Sequence, residues 1–136
     1  MVKFEKNNVV ASGVGRRKSA SALVKILPGT GEITVNQKPG IEYFHVIAHG
    51  LGICRTPLEI FQSDKAYNII IEVSGGGLQG QTQAIRLAVA KAISSLDNDK
   101  RTKLRHLGLL SRDTRIKERK KCGLKKARKA PQYSKR

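Results

Sequence analysis

Strict alternation of apolar and polar positions marks the early part of the chain. Between Ser19 and Leu27, Ala20, Ala22, Val24 and Ile26 fall on one side and Ser21 and Lys25 on the other, with Leu23 and Leu27 interrupting the polar side. A period of two predicts a strand with one buried face. Val9 to Val14 predicts a short strand before it, running into Gly13-Val14-Gly15. Pro28-Gly29-Thr30-Gly31 reads as a turn, and Ile33 and Val35 resume the alternation over residues 32–35. Strand, tight Gly/Pro turn and strand together predict an antiparallel hairpin. Residues 36–40 form the next turn. Residues 1–8 are polar, without pattern, and are expected to fray.

The pattern then changes. Ile41 to Ala48 fits a short helix with Phe44 and Ile47 or Ala48 inward, ended by His49-Gly50-Leu51-Gly52. Pro57 suits the first turn of a second short helix, PLEIFQ, with Thr56 as its N-cap. Ala66 to Ser74 is the clearest strand, with Tyr67, Ile69, Ile71 and Val73 on one face. After Gly75-Gly76-Gly77, residues 78–96 predict a long helix. Its apolar stripe is Ile85, Ala88, Val89, Ala92 and Leu96. Ala84, Ala88 and Ala92 offer small side chains for close packing on a sheet, and Arg86 is expected to face solvent or RNA, with Lys91 on a neighbouring flank. Leu96-Asp97-Asn98-Asp99 separates this helix from a short basic one over 100–110, with Leu104, Leu107 and Leu110 inward and Gly108 weakening its end. The order β, ββ, α, α, β, α, α predicts an α+β domain: a sheet with its helices on one face, the other face or the edges left available.

Composition sharpens this picture at one end. The 136 residues suffice for one domain with one core, and 39% hydrophobic content with no Trp predicts a core of Ile, Leu, Val and Ala. The formal charge is +17, of which +10 falls in the last 26 residues, SRDTRIKERKKCGLKKARKAPQYSKR, where only Asp113 and Glu118 are acidic. Scattered apolar residues in this stretch bury too little surface to offset its ordering entropy. The expected organisation is therefore a globular domain over 1–110 and an extended basic tail over 111–136. A block of like charge without a core binds a polyanion, and a disordered basic segment folds as it enters RNA. Fully extended, the tail reaches roughly 85 Å at about 3.3 Å per residue. Pro131 stiffens its end, and Tyr133 is able to stack on a base.

Other chemistries were weighed. No apolar run approaches a membrane span, and the tail lacks the Trp/Phe/Leu face of an interfacial helix. The N-terminus has no secretory pattern and is too short for a transit peptide, so the chain is expected to be made where it works or to be already mature. Cys54 and Cys122, without a CxxC, read as reduced thiols. GGGLQGQT at 75–82 follows a strand and opens a helix, where a phosphate loop sits, but Gln81 stands where the Walker lysine is required. Either the glycines serve a tight turn and close helix–sheet packing, or the exposed N–H groups hold an RNA phosphate. A kinase-like enzyme on this loop is the rival reading, weakened by Gln81 and by the lack of a carboxylate pair for a metal. His45, His49 and Cys54 lack a fourth ligand for zinc. No nucleophile–base pattern is present. Arg16-Arg17-Lys18 beside Gly13 and Gly15 supports two readings, a solvated hairpin turn or cations facing phosphate.

Several motifs arrive together in one order: GVGRRKSASA at 13–22, LPGTG at 27–31, EYF at 42–44, PL at 57–58, VSGGGLQGQTQAIRLAVAKAI at 73–93 and LLSRDTRIKERKKCGLKKARKAPQYSKR at 109–136. They cover nearly the whole chain, which resembles the small-subunit ribosomal protein nine family. The final PQYSKR is similar to its bacterial and plastid branch. The resemblance implies a fold like the second domain of ribosomal protein S five, a four-stranded sheet carrying helices and containing a left-handed βαβ crossover. It implies a structural, non-enzymatic place in the head of the small ribosomal subunit, in a bacterial cytoplasm or a plastid stroma. The implied partners are ribosomal RNA, P-site tRNA and neighbouring head proteins, with no membrane, metal or cofactor and no homo-oligomer. By motif, Arg16, Arg17, Lys18, Arg112, Arg115, Arg119, Lys120, Lys121, Lys126 and Arg128 are implied to meet ribosomal RNA. Ser134, Lys135 and Arg136 match the tip that approaches the tRNA anticodon stem-loop. Leu23 stands where many members carry a further Arg, and Cys122 where an aromatic is common. A free-standing RNA chaperone differs from this reading only in not staying in a particle.

Overall fold

The structure, a computed structural model, describes residues 8–47, 49–63 and 65–134. The expectation of fraying over residues 1–7 and the inward placing of Ala48 lie outside these residues. One five-stranded sheet is formed by β1 (Ala11–Arg17), β2 (Ala20–Pro28), β3 (Ile33–Val35), β4 (Lys38–Pro39) and β5 (Tyr67–Ser74). The helices are α1 (Gly40–Tyr43), α2 (Gly50–Glu59), α3 (Leu78–Ser94) and α4 (Asn98–His106). Alternation carries through: Ala20, Ala22, Val24 and Ile26 of β2, Ile33 and Val35 of β3 and Ile69, Ile71 and Val73 of β5 are buried, and their neighbours in sequence face out. The single buried face packs on α3 through Ile85, Ala88, Val89 and Ala92, with Cys54 and Leu58 of α2 and Leu104 of α4 completing the core.

The strand order β1-β2-β5-β3-β4 overturns the expected hairpin between residues 19–27 and 32–35. β5 lies between those two strands, antiparallel to β2 and parallel to β3. β5 gains a neighbour on each edge, and its apolar face is shielded from water on the helix side. The Pro28–Gly31 turn is held to β5 instead of closing a hairpin. Asn68 Oδ1 accepts from the backbone N–H groups of Thr30, Gly31 and Glu32 at 2.8, 3.1 and 3.0 Å. The antiparallel pairs of strands adjacent in sequence are β1–β2 and β3–β4, turning at Lys18-Ser19 and Asn36-Gln37. The two-residue β4 makes the sheet five-stranded where four were expected.

Three helices differ in their bounds from expectation. The Ile41–Ala48 helix is a single turn, α1. His49-Gly50-Leu51-Gly52 opens α2 rather than ending a helix, and Pro57 sits near its C-terminal end instead of starting a helix. Burial of Cys54 and Leu58 against α3 outweighs the helix-weakening glycines. α4 starts earlier, capped by Asp97, whose side chain accepts from Asp99 N–H at 3.1 Å. It ends in a Schellman arrangement, Leu109 N–H to Leu104 C=O at 3.0 Å and Gly108 N–H to Arg105 C=O at 3.0 Å. Leu104 is buried as expected, whereas Leu107 is exposed because the helix stops at His106.

β1 also runs further than expected, through Arg17, so Gly13 and Gly15 lie inside the strand. Both point at α3, and the helix backbone approaches to within side-chain distance of the strand. Arg16 and Arg17 are thereby placed at the end of β1, beside the start of α3.

Candidate nucleic-acid interface

Residues 111–134 contain neither helix nor strand, and nearly all are exposed. Their root is nonetheless tied to the domain. Arg17, on the helix side of β1, donates through Nη1 to the carbonyl of Arg115 at 2.7 Å and to that of Asp113 at 3.3 Å. Its Nη2 pairs with Asp113 Oδ2 at 3.0 Å, and its Nε donates to Gln83 Oε1 of α3 at 2.8 Å. With every nitrogen of the guanidinium engaged, the Arg17 side chain is only 14% exposed. Asp113 also receives the Arg115 guanidinium, at 2.8 Å to Oδ2, and the Arg115 backbone N–H, at 2.9 Å to Oδ1. These Arg115 bonds, with Arg17 behind them, hold the Asp113 carboxyl well below the usual carboxylate range and raise Arg115 above its own.

Further along, Glu118 gathers the middle of the tail. Its carboxylate accepts from Arg128 Nε at 2.8 Å and pairs with Lys121 Nζ at 3.3 Å. Lys125 N–H donates to Lys129 C=O at 2.7 Å, closing a turn. The two acids of the tail thus serve as internal ties. Among the site residues expected from sequence, Arg17 and Arg115 come together at Asp113, Lys121 and Arg128 meet at Glu118, and Arg16 and Arg112 are exposed near the root. Lys18 stands at the β1–β2 turn with φ 52°. Arg119, Lys120 and Lys126 are exposed with no acidic partner among the described residues, and Ser134 is exposed. Lys135 and Arg136 lie outside the described residues. Tyr133 is 84% exposed, its ring free of the core.

A notch of about 30 Å³ opens where β1, α3 and the tail root meet, lined by Arg16, Arg17, Gln83, Arg86, Ser111 and Asp113 among others. Asp113 and Gln83 are not among the site residues expected from the sequence. An acid within an otherwise basic tail was the available signal for the first, and Gln83 carried none. A second basic surface was also missed: Lys100 and Lys103 of α4 both lie over the Phe61 ring, at 5.9 and 5.6 Å from its centre.

The glycine loop turns tightly against the start of β2. Gly75 and Gly76 take positive φ, 71° and 65°, and pack against Ser19 and Ala20. Gln81, at the Walker lysine position, is buried: its Nε2 donates to Gly75 C=O at 3.1 Å and its Oε1 accepts from Tyr43 Oη at 2.9 Å. Cys54 is buried in the core, where desolvation pushes its thiol up to about 12. No group of three or more potential metal ligands occurs among the described residues, and no helix there is long and apolar enough to cross a membrane.

Comparison with known proteins gives the same direction over nearly the full chain. The family model described as ribosomal protein S9/S16 matches residues 15–136. The small ribosomal subunit protein uS9 of Trichormus variabilis is 51% identical over 138 residues, covering 100% of both chains. That of Gloeobacter violaceus is 50% identical, covering 98% of this chain and 100% of the relative. The small ribosomal subunit protein uS9c of Mesostigma viride is 52% identical, covering 91% and 90%.

Proposed function

The chain belongs to the ribosomal protein S9/S16 family and is a structural, non-enzymatic component of the small ribosomal subunit, and from that premise we propose that it binds small-subunit ribosomal RNA chiefly through its tail. The observation that carries this is the tail itself: +10 in 26 residues and, among the described residues, without regular structure, largely exposed and tied to the domain at its root. Such a segment gains little by folding on itself and much by neutralising phosphates, which releases condensed counterions. Residues 1–110 dock on the subunit head beside neighbouring proteins, and residues 111–136 are ordered by RNA. Arg16, Lys18, Arg112, Arg115, Arg119, Lys120, Lys121, Lys126 and Arg128 contact its backbone. Ser134, Lys135 and Arg136 approach the anticodon stem-loop of P-site tRNA, adding charge and a hydroxyl without reading sequence. The same proposal includes the fold like the second domain of ribosomal protein S five, with the connection from β3 through α1 and α2 to the parallel β5 as its left-handed crossover. The host ribosome is that of a bacterium or a plastid.

Sedimentation of a native lysate through sucrose tests the reading. The chain is expected to travel with small subunits and whole ribosomes at moderate salt; recovery as a free protein would overturn it. Ribosomes carrying a chain that stops at Ser134 are expected to lose P-site tRNA faster. An unchanged off-rate would remove the tRNA part alone.

A further inference from the structure

The notch at the tail root has an unbalanced charge. Three arginines, Arg16, Arg17 and Arg86, line it beside a single acidic residue, Asp113, and of the two on β1 it is Arg17 that turns toward α3. The Asp113 carboxylate is already shared by Arg17 and Arg115. Arg16 and Arg86 have no ion-pair partner among the described residues, and Arg86 is half-buried on α3. Like charges gathered in a concave site raise the local potential, and an anion placed there lowers it. The notch has room for the oxygens of one phosphate and not for a base. Ser111, on the tail side, brings a hydroxyl that makes no hydrogen bond among the described residues.

We propose that this notch seats one phosphate of an RNA backbone, with Arg86 as its charged ligand and Ser111 as a further donor, and that Arg17 builds the notch as an internal clamp instead of contacting RNA. Arg17 spends Nε, Nη1 and Nη2 on Gln83, Arg115 and Asp113, so no donor pair of its fork is left for an external phosphate. One wall of the notch, Ser111 and Asp113, belongs to the tail; Leu109 and Leu110 pack on the core just before it, and Arg17 fixes Asp113 opposite α3. The seat is thus composite, made from strand, helix and tail. It orders the first residues of the tail before RNA arrives, which lowers the entropic cost of binding. This inference rests on the RNA-binding reading and adds Arg86 and Ser111 to it while reassigning Arg17.

The test measures affinity of the full-length chain for small-subunit ribosomal RNA as a function of salt. Arg86→Gln is expected to reduce the slope of log affinity against log salt by about 0.7 to 0.9, the value for one phosphate contact. Arg86→Lys restores the slope, since it keeps the charge, and shows that the loss is not a folding defect. Arg17→Gln is expected to speed tryptic cleavage after Arg112 and Arg115 in the free protein, which Arg86→Gln does not. An unchanged slope and affinity in Arg86→Gln, with binding still lost when residues 111–136 are removed, overturns the phosphate seat and leaves the RNA reading intact. Unchanged cleavage in Arg17→Gln overturns the clamp. Failure of the unaltered chain to bind this RNA overturns the underlying reading.

Discussion

Gly15 of β1 and Ala84 of α3 are in backbone contact: a Cβ added to Gly15 would stand 2.0 Å from the Ala84 carbonyl oxygen. Two residues earlier in the strand and one turn later in the helix the contact repeats, where a Cβ added to Gly13 would collide with the Ala88 carbonyl oxygen. Strand and helix approach this closely because every residue at the contact is glycine or alanine. The contact matters for function because it sets the distance from β1 to α3, across which Arg17 reaches Gln83 and the tail.

Gly15→Ala is therefore expected to force α3 away from β1 at a cost of about 1–3 kcal/mol. Urea unfolding of the full chain measures it. Gly52→Ala is the control, because nothing lies within 4 Å of its added Cβ and its position in α2 favours alanine by roughly 0.5–1 kcal/mol. Equal effects of the two substitutions would contradict the close-contact account.

Asn68→Ala removes the oxygen that three turn N–H groups share. The turn is partly exposed, so water replaces some of what is lost, and the expected destabilisation is about 1–2 kcal/mol. Amide exchange should quicken at Thr30, Gly31 and Glu32, and Asn68→Asp, which keeps the acceptor, should restore most of the protection. Uniform protection in all three proteins would mean that the turn holds itself.

The tail root has a defined pH response. The Asp113 carboxyl is lowered in the folded chain by its Arg115 bonds and by Arg17. A lowered carboxyl stabilises the fold above its unfolded value, about 3.9, and the contribution disappears only as pH falls through the folded value. The root should stay latched at pH 4 and open in stronger acid. Titration of the Asp113 carboxyl carbon by NMR, followed with exchange of the Arg115 N–H, reads this directly. A midpoint near 4 would show that the latch is not formed in solution.

Thiol chemistry should divide the two cysteines. Cys122 is exposed, and Cys54 is buried with its thiol pushed up to about 12. A thiol-reactive dye at pH 8 should label one site in the native protein and two in denaturant. Rapid labelling of both in native buffer would place Cys54 outside the core.

Much of this was readable along the chain. The buried faces of β2 and β5 followed from alternation, the α3 stripe from its spacing, and the tail from its charge against its lack of apolar residues. The small residues at 84, 88 and 92 announced close packing, although the strand glycines that complete it looked equally like a turn. The errors share one origin. Alternation tells which face a residue uses and says nothing of which strand lies beside it, so Pro28–Gly31 passed for a hairpin turn. Likewise Gly50, Gly52 and Pro57 are helix breakers by local propensity, and only burial of Cys54 and Leu58 on α3 makes 50–59 helical.

The sequence by itself determined the local periods, the composition of the core, the charge of the tail and the family. Each depends on residue types read within a few positions, where side-chain direction and solvation are nearly independent of the rest of the fold. Tertiary structure decided the strand order, with β5 taking the centre because its two edges and its apolar face are best shielded there. It also decided the role of Arg17. That side chain meets Asp113 across 96 positions of chain, and it does so only once Gly13 and Gly15 have let α3 down onto β1 and brought the tail root within hydrogen-bonding distance.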